Sequence, residues 1–232
     1  MRQALVAALL ALLPAPAMAQ AWQCTLPERI GPVAPARPDG PPRRVAIGGY
    51  TLAASWSPEY CKGSGDRDAM QCSGRSGRFG FILHGLWPEA RKGPPPQWCA
   101  TAPQPSPELI RRNLCMTPAP GLIAHEWAKH GSCMAKKPET YLRVAGVLWR
   151  SIRWPDADEL SRKPGLTAGD LRREFALANA GWKPDQVGLL VSRSGWLREV
   201  RLCYGRDFLP TACNRFQAGP PDSAPLKIWR GL

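Results

Sequence analysis

Eight cysteines distributed along this 232-residue chain place the strongest constraint on its fold. An even number of cysteines in an exported protein indicates a framework of disulfides that ties distant loops together. No Cys-x-x-Cys pair occurs, so neither a zinc ribbon nor a thioredoxin-like site is indicated. Spacing leaves the pairing open among Cys24, Cys61, Cys72, Cys99, Cys115, Cys133, Cys203 and Cys213.

The start of the chain has the features of a secretory signal peptide. Arg2 precedes an apolar run over residues 4–13, and Ala17-Met18-Ala19 has the small residues of a cleavage site. We therefore predict a signal peptide over residues 1–19 and one mature domain over residues 20–232. The apolar run is too short to span a bilayer, and no later stretch is apolar enough. We expect an exported protein without a membrane span, in the periplasm or the medium.

The charge of the chain indicates the class of its partner. The formal net charge is +13 and the pI is about 9.8. Such a balance favours polyanions, namely nucleic acid, anionic lipid or acidic glycans. Exported proteins are also often basic without binding anything, so the charge alone does not choose among these partners.

Hydrophobic periodicity predicts strands near both ends of the chain and helices between them. This order predicts an α+β fold with a central, mainly antiparallel sheet, flanked by helices and stapled by disulfides. The predicted strands cover residues 45–56, 79–83, 187–192 and 196–204, and the predicted helices cover residues 122–130, 139–152 and 167–179.

The remaining segments are predicted to be irregular. Residues 20–45 are rich in proline and basic residues, which indicates an extended arm. Trp87-Pro88 is expected to end the second strand, which would leave His84 at the strand end. Residues 61–72 and 91–120 are predicted to be loops.

All three histidines of the chain lie in two short stretches, residues 81–88 and 124–133. His125-Glu126 resembles the start of a zinc-protease motif, but that motif needs a second histidine four residues on. His130 is five residues on, which turns it about 140° around a helix from His125. Two side chains that diverge in this way cannot share a metal ion, so we predict no metal site and no cofactor.

The same spacing suits the cleavage of RNA without a metal ion. His125 and Lys129 share one helix face, as do Glu126 and His130, because residues four apart are neighbours. With His84, the group holds three imidazoles, one ammonium and one carboxylate. RNA cleavage needs a base for the 2′-hydroxyl, an acid for the leaving oxygen and cations for the charged phosphate, and this group supplies all three.

The two stretches resemble the signatures of the RNase T2 family of secreted acid ribonucleases. One signature matches Phe81-Ile82-Leu83-His84-Gly85-Leu86-Trp87-Pro88, and the other matches residues 125–133. Residues 55–58, Cys61 and residues 199–203 also resemble the family. The resemblance spans roughly residues 45–213. It implies an α+β fold and the cleavage of single-stranded RNA through a 2′,3′-cyclic phosphate to 3′-phosphate ends, with low base specificity.

The resemblance also implies roles for the catalytic candidates. His130 would be the general base and His84 the general acid. His125 would bind phosphate, and Glu126 and Lys129 would stabilise the transition state.

Substrate-binding residues and disulfides follow from the same resemblance. Trp87 would stack on a base, and Glu89 stands where some members have an aspartate for base recognition. The family pattern implies three disulfides and leaves a fourth by elimination. These are Cys61–Cys72, Cys99–Cys133, Cys203–Cys213 and, by elimination, Cys24–Cys115.

Two other functions stay open at this level. A basic protein on the same scaffold could bind RNA or a glycan without cleaving it, and the intact histidines argue against that function. A metal-dependent nuclease would be sensitive to chelators. We expect a monomeric ribonuclease whose partner is single-stranded RNA.

Overall fold

The computed structural model describes residues 21–22, 24–63, 69–101 and 103–231. The predicted signal peptide lies outside these residues. The strands of the described part are β1 Ala21–Trp22, β2 Ile47–Trp56, β3 Arg78–Phe79, β4 Phe81–Ala90, β5 Val187–Val191 and β6 Leu197–Tyr204.

The α-helices of the described part include the three that the sequence predicts, which are α3, α4 and α6. Two 3-10 turns, Gly131–Cys133 and Pro184–Gln186, follow α3 and precede β5. The helices are α1 Ser57–Gly63, α2 Pro107–Asn113, α3 Pro120–Lys129, α4 Pro138–Arg150, α5 Ala157–Leu160, α6 Ala168–Ala178 and α7 Arg215–Ala218.

The main sheet has the strand order β4-β2-β6-β5, and each neighbouring pair is antiparallel. The helices α3, α4 and α6 bury apolar side chains in the same core as the sheet. The predicted α+β fold with an antiparallel sheet is confirmed. No helix of the described residues is long and apolar enough to cross a membrane.

One extra residue in β4 decides which side chains face the core. The register against β2 shifts between Leu83 and Gly85, so His84 has no partner and forms a β-bulge. Because the bulge shifts the alternation by one residue, Leu83 and Leu86 both pack in the core. His84 and Trp87 consequently lie together on the other face, with ring centroids 5.2 Å apart.

Four disulfides join segments that are far apart in the fold. Cys24–Cys115 ties the N-terminal arm to the residues after α2, and Cys99–Cys133 ties a loop to the end of α3. The other two, Cys61–Cys72 and Cys203–Cys213, close short loops. These are the pairs that the family resemblance implies, and they fit an exported protein.

Three predictions of local structure were wrong. β4 does not end at Leu83 but continues through Pro88 to Ala90. It is an edge strand of its sheet, where a proline is tolerated because one row of backbone groups needs no partner. His84 is therefore inside the strand and not at its end.

The other two errors are short helices in segments predicted as loops, α1 and α2. Ser106 caps α2, since its side chain accepts a hydrogen bond from the backbone N–H of Leu109, and Pro107 occupies the first turn. This cap and this proline are standard signals for the start of a helix.

Candidate active site

His84 extends from the β4 bulge onto the polar face of the sheet. Its Nδ1 lies 2.7 Å from Glu199 Oε2 and 3.4 Å from Ser55 Oγ. Ser55 of β2 and Glu199 of β6 are paired residues, so two neighbouring strands hold the ring. We assign the Nδ1 proton to the bond with Glu199, because a carboxylate accepts. Nε2 then faces Glu126 Oε1 at 3.6 Å.

Glu126 of α3 lies between the two imidazoles expected to act as acid and base. Its Oε2 accepts a hydrogen bond from Trp87 Nε1 at 2.7 Å and lies 4.0 Å from His130 Nε2. The residue is 4% exposed, so solvent contributes little to its environment. The helix face that the sequence predicts for Glu126 and His130 therefore turns towards His84.

Two glycines of the motifs make room for this group. A Cβ on Gly85 would lie 2.0 Å from Glu126 Oε2, and a Cβ on Gly131 would lie 2.4 Å from the Trp127 ring. A side chain at either position would displace the carboxylate or the end of α3 that carries His130. Trp127 is buried in the core, as the sequence predicts.

The pKa values of His84 and His130 are displaced in opposite directions. Burial by itself lowers the pKa of His84, but the hydrogen bond to Glu199 and the negative charge of Glu126 outweigh it, so this pKa is raised above its usual value. Burial lowers the pKa of His130 to about 3, and the positive charge of Lys129 acts in the same direction. His84 is therefore protonated at a pH where His130 is neutral.

The two buried carboxylates also differ. Burial raises the pKa of Glu126 to about 7, so this group carries a proton for much of the time in mildly acidic solution. Burial also acts to raise the pKa of Glu199, but its hydrogen bonds with His84 and Arg201 reverse the effect and lower it. Glu199 is thus a fixed negative charge, whereas Glu126 titrates.

His125 and Lys129 form a second group around Asp39. Lys129 Nζ donates to Asp39 Oδ2 at 2.6 Å, and His125 Nε2 lies 4.0 Å from the same oxygen. Trp98 Nε1 donates to Asp39 Oδ1 at 3.0 Å. A carboxylate therefore occupies the two side chains expected to bind phosphate. Burial and the Lys129 charge lower the pKa of His125.

The N-terminal arm carries Asp39 into this position. Arg43 and Gln97 exchange two backbone hydrogen bonds of 2.8 and 3.0 Å, and the Gln97 side chain donates to the Pro41 carbonyl. Arg43 also donates to the Pro95 carbonyl at 2.6 Å. The arm is thus fastened to the loop that follows β4.

Glu89 lies on the same face of β4 as Trp87, two residues further on. Gln217 Nε2 donates to Thr51 Oγ1 at 2.7 Å, and Thr51 Oγ1 donates to Glu89 Oε1 at 2.6 Å. Among the described residues, no hydrogen bond or ion pair joins Glu89 to a histidine. The structure therefore places Glu89 beside the group around Glu126, with its own set of partners.

Sequence reasoning missed several residues of the site. Glu199 could have been found, since it is a carboxylate on the strand β6 and is 3% exposed. Asp39, Thr51 and Gln217 have no local pattern that distinguishes them from ordinary polar residues. His125 and His130 contact different carboxylates, and the described residues include no group of three or more His, Cys, Asp or Glu placed to hold a metal ion.

Solved structures with this fold are ribonucleases or their relatives. RNase NT, solved in complex with 5′-AMP, gives a TM-score of 0.61 at 19% identity, over 79% of this chain and 98% of that one. An RNase-related protein from Calystegia sepium gives a TM-score of 0.60 at 18% identity, over 77% of this chain and 97% of that one. The fold is that of a class of ribonucleases.

Sequence comparisons identify the family within that class. The model of the ribonuclease T2 family matches residues 47–157. A ribonuclease of Aeromonas hydrophila is 32% identical over 164 residues, which cover 68% of this chain and 72% of that protein. Ribonuclease I of Escherichia coli is 26% identical over 218 residues, covering 74% of this chain and 81% of that protein. The chain belongs to the ribonuclease T2 family and is an endoribonuclease of that type.

Proposed function

We propose that this enzyme cleaves single-stranded RNA without a metal ion, through a 2′,3′-cyclic phosphate to 3′-phosphate ends. The observation that carries the proposal is the pair of imidazoles on either side of Glu126, with pKa values displaced in opposite directions. An acid and a base that differ in this way can act together at one pH.

The first step transfers the phosphate within the RNA. His130 Nε2 takes the proton of the ribose 2′-hydroxyl, the 2′-oxygen attacks phosphorus, and the bond to the 5′-oxygen breaks. The His84 imidazolium gives its Nε2 proton to that 5′-oxygen. In the second step water attacks the cyclic phosphate with the two roles exchanged, which restores both histidines. DNA lacks the 2′-hydroxyl and is not cleaved by this route.

Three further side chains stabilise the charged phosphate. Glu126 in its protonated form donates a hydrogen bond to a phosphate oxygen and adds no negative charge beside it. Lys129 and His125 supply positive charge and donors on the adjacent side of α3. The RNA phosphate takes the position that Asp39 holds in the free enzyme.

Base recognition is proposed for Trp87 and Glu89. An indole face stacks on any base. The hydrogen bonds from Gln217 to Thr51 and from Thr51 to Glu89 run in one direction, so the carboxylate is an acceptor whose second oxygen faces outwards from this chain of donors. Every base carries an N–H donor on its edge, and we therefore expect low base specificity.

The four disulfides support a proposal about location and size. We propose that residues 20–232 act as one monomeric domain in an oxidising compartment, either the periplasm or the medium.

The test is the pair of variants His84→Ala and His130→Ala. Each is expected to lower kcat by at least about a hundredfold, because each removes a proton-transfer group. Circular dichroism and thermal melting would check that the fold is kept. Full activity in either folded variant would show that the assignment is wrong. RNA binding by a folded, oxidised wild-type protein that cleaves nothing would instead support the binding protein.

A further inference from the structure

A second depression lies beyond the histidine group, where β2 begins and β4 ends. It has a volume of about 740 Å³, within the range of small-molecule sites. Arg44 of the arm, Arg91 after β4 and Arg206 after β6 line it, and no acidic residue does. We call it the arginine groove. Among the described residues, none of the three arginines forms an ion pair.

This cluster of charge is not explained by folding. Three guanidinium groups from three separate segments repel one another, and no lining carboxylate compensates them. The remaining walls are the Tyr50 ring, the backbone near Ala46 and the Cys99–Cys133 disulfide. Arg44 Nε donates to the Cys99 carbonyl, which fixes that side chain. A rigid groove with three positive groups is suited to an anion.

The arginine groove adjoins the candidate active site. The Cys133 backbone N–H bonds to the His130 carbonyl at 3.1 Å, so the groove wall is one turn away from that histidine. On the other wall, Cys99 follows Trp98, whose ring lies 5.4 Å from the His125 ring. A strand bound at the histidines can therefore continue into the groove.

We propose that the arginine groove is a secondary RNA subsite, which binds a backbone phosphate of a nucleotide outside the cleaved dinucleotide. Arg91 and Arg206 pair with non-bridging phosphate oxygens, the geometry that guanidinium groups favour. Tyr50 supplies an apolar wall for the sugar or base. This inference rests on the proposed function, since the ligand is the strand whose bond is cleaved at the histidines.

The first test measures binding without cleavage. The probe is a fluorescent 2′-O-methyl oligonucleotide of about 12 nucleotides, in which the 2′-oxygen cannot attack, and its affinity is read by anisotropy. We expect the double variant Arg91→Ala/Arg206→Ala to raise Kd about tenfold. The slope of log Kd against log salt should fall by roughly 1.4, since each phosphate contact on a single strand contributes about 0.7.

The matched control is Arg143→Ala/Arg150→Ala, which removes the same net charge from exposed positions on α4. It is expected to change Kd by less than about twofold, because distant surface charges act only through a screened field. Equal losses in the two double variants would overturn the proposal, since net charge alone would then explain the binding.

A second measurement uses cleavage and chain length. The ratio of kcat/KM for the long substrate to that for a dinucleotide should fall about tenfold in the groove variant and stay near the wild-type value in the control. If the groove variant does not fold, the wild type decides: equal affinity for a 2′-O-methyl dinucleotide and the long probe would contradict a secondary subsite. Length-dependent binding without any cleavage would contradict the proposed function and leave the subsite standing.

Discussion

His84 depends on a carboxylate that is 115 positions away along the chain. Its Nδ1 lies 2.7 Å from Glu199, and this contact opposes the effect of burial on the imidazole. Without a negative partner, a buried histidine loses its proton at a lower pH and cannot serve as the general acid. We therefore regard Glu199 as the positioning residue for His84.

The variant Glu199→Gln tests this role through the pH profile. Loss of the negative charge lowers the pKa of His84, so the protonated acid disappears at a lower pH. The alkaline limb of kcat/KM against pH should move towards lower pH, while the acidic limb, set by His130, keeps its position. The control Glu108→Gln alters an exposed ion pair on α2. An unchanged alkaline limb in Glu199→Gln would mean that His84 is not the acid.

Asp39 is a second residue whose role depends on distant chain segments. Its carboxylate contacts Lys129 at 2.6 Å in the free enzyme, where the RNA phosphate is proposed to bind. Lys129 is the main reason that the pKa of Asp39 is lowered, so the negative charge persists in mildly acidic solution. RNA must therefore displace this contact when it binds.

The variant Asp39→Asn removes the competing charge. We expect KM to fall by about twofold to fivefold with little change in kcat, because a half-exposed ion pair contributes only about 0.2–1 kcal/mol. Steady-state kinetics on a short RNA would measure this, with Asp158→Asn as the control from an exposed ion pair with Arg162. A higher KM or a lower kcat would show that Asp39 positions Lys129 and His125 productively.

The residue types of the site could be predicted from the sequence, but their partners could not. Two motifs contain His84, Glu126 and His130, and the chemistry of their side chains already indicates acid–base work on a phosphodiester. Asp39 and Glu199 reach these motifs only through folding. Their effect on pKa depends on distances and burial, which no local pattern records.

At the scale of elements, the β4 bulge is the feature that builds the site. It allows Leu83 and Leu86 to face the core while His84 and Trp87 face the catalytic side. Sequence alternation predicts the first part of this strand and fails beyond His84, because the bulge changes the parity of the pattern. The strand after the bulge is held by Tyr141, whose hydroxyl accepts from the Leu86 N–H at 3.1 Å.

The variant Tyr141→Phe tests that anchor. Removal of the hydroxyl leaves the buried Leu86 N–H without its acceptor, which should lower the free energy of unfolding by about 1–3 kcal/mol. Tyr204→Phe is the matched control, since the buried Tyr204 hydroxyl has no hydrogen-bond partner among the described residues. Urea denaturation would measure both variants. Equal stabilities would show that the Tyr141 bond contributes nothing.

At the scale of the whole molecule, disulfides and charge arrange the parts around the cleft. Cys24–Cys115 fastens the arm that carries Asp39, and Cys99–Cys133 fastens the loop that carries Trp98 to the end of α3. The α+β class, the antiparallel sheet and the polyanionic partner were predictable from strand order, helix periodicity and a net charge of +13. The path of the arm was not, because a proline-rich segment has no periodicity that fixes where it lies.

The most direct test of the account is to identify the ends of the fragments that the oxidised mature protein makes from a short single-stranded RNA in excess EDTA. Transphosphorylation by His130 and His84 predicts fragments that end in 2′,3′-cyclic phosphate and later in 3′-phosphate, with 5′-hydroxyl groups on the other side. Fragments with 5′-phosphate ends, or the loss of cleavage in EDTA, would contradict the histidine mechanism.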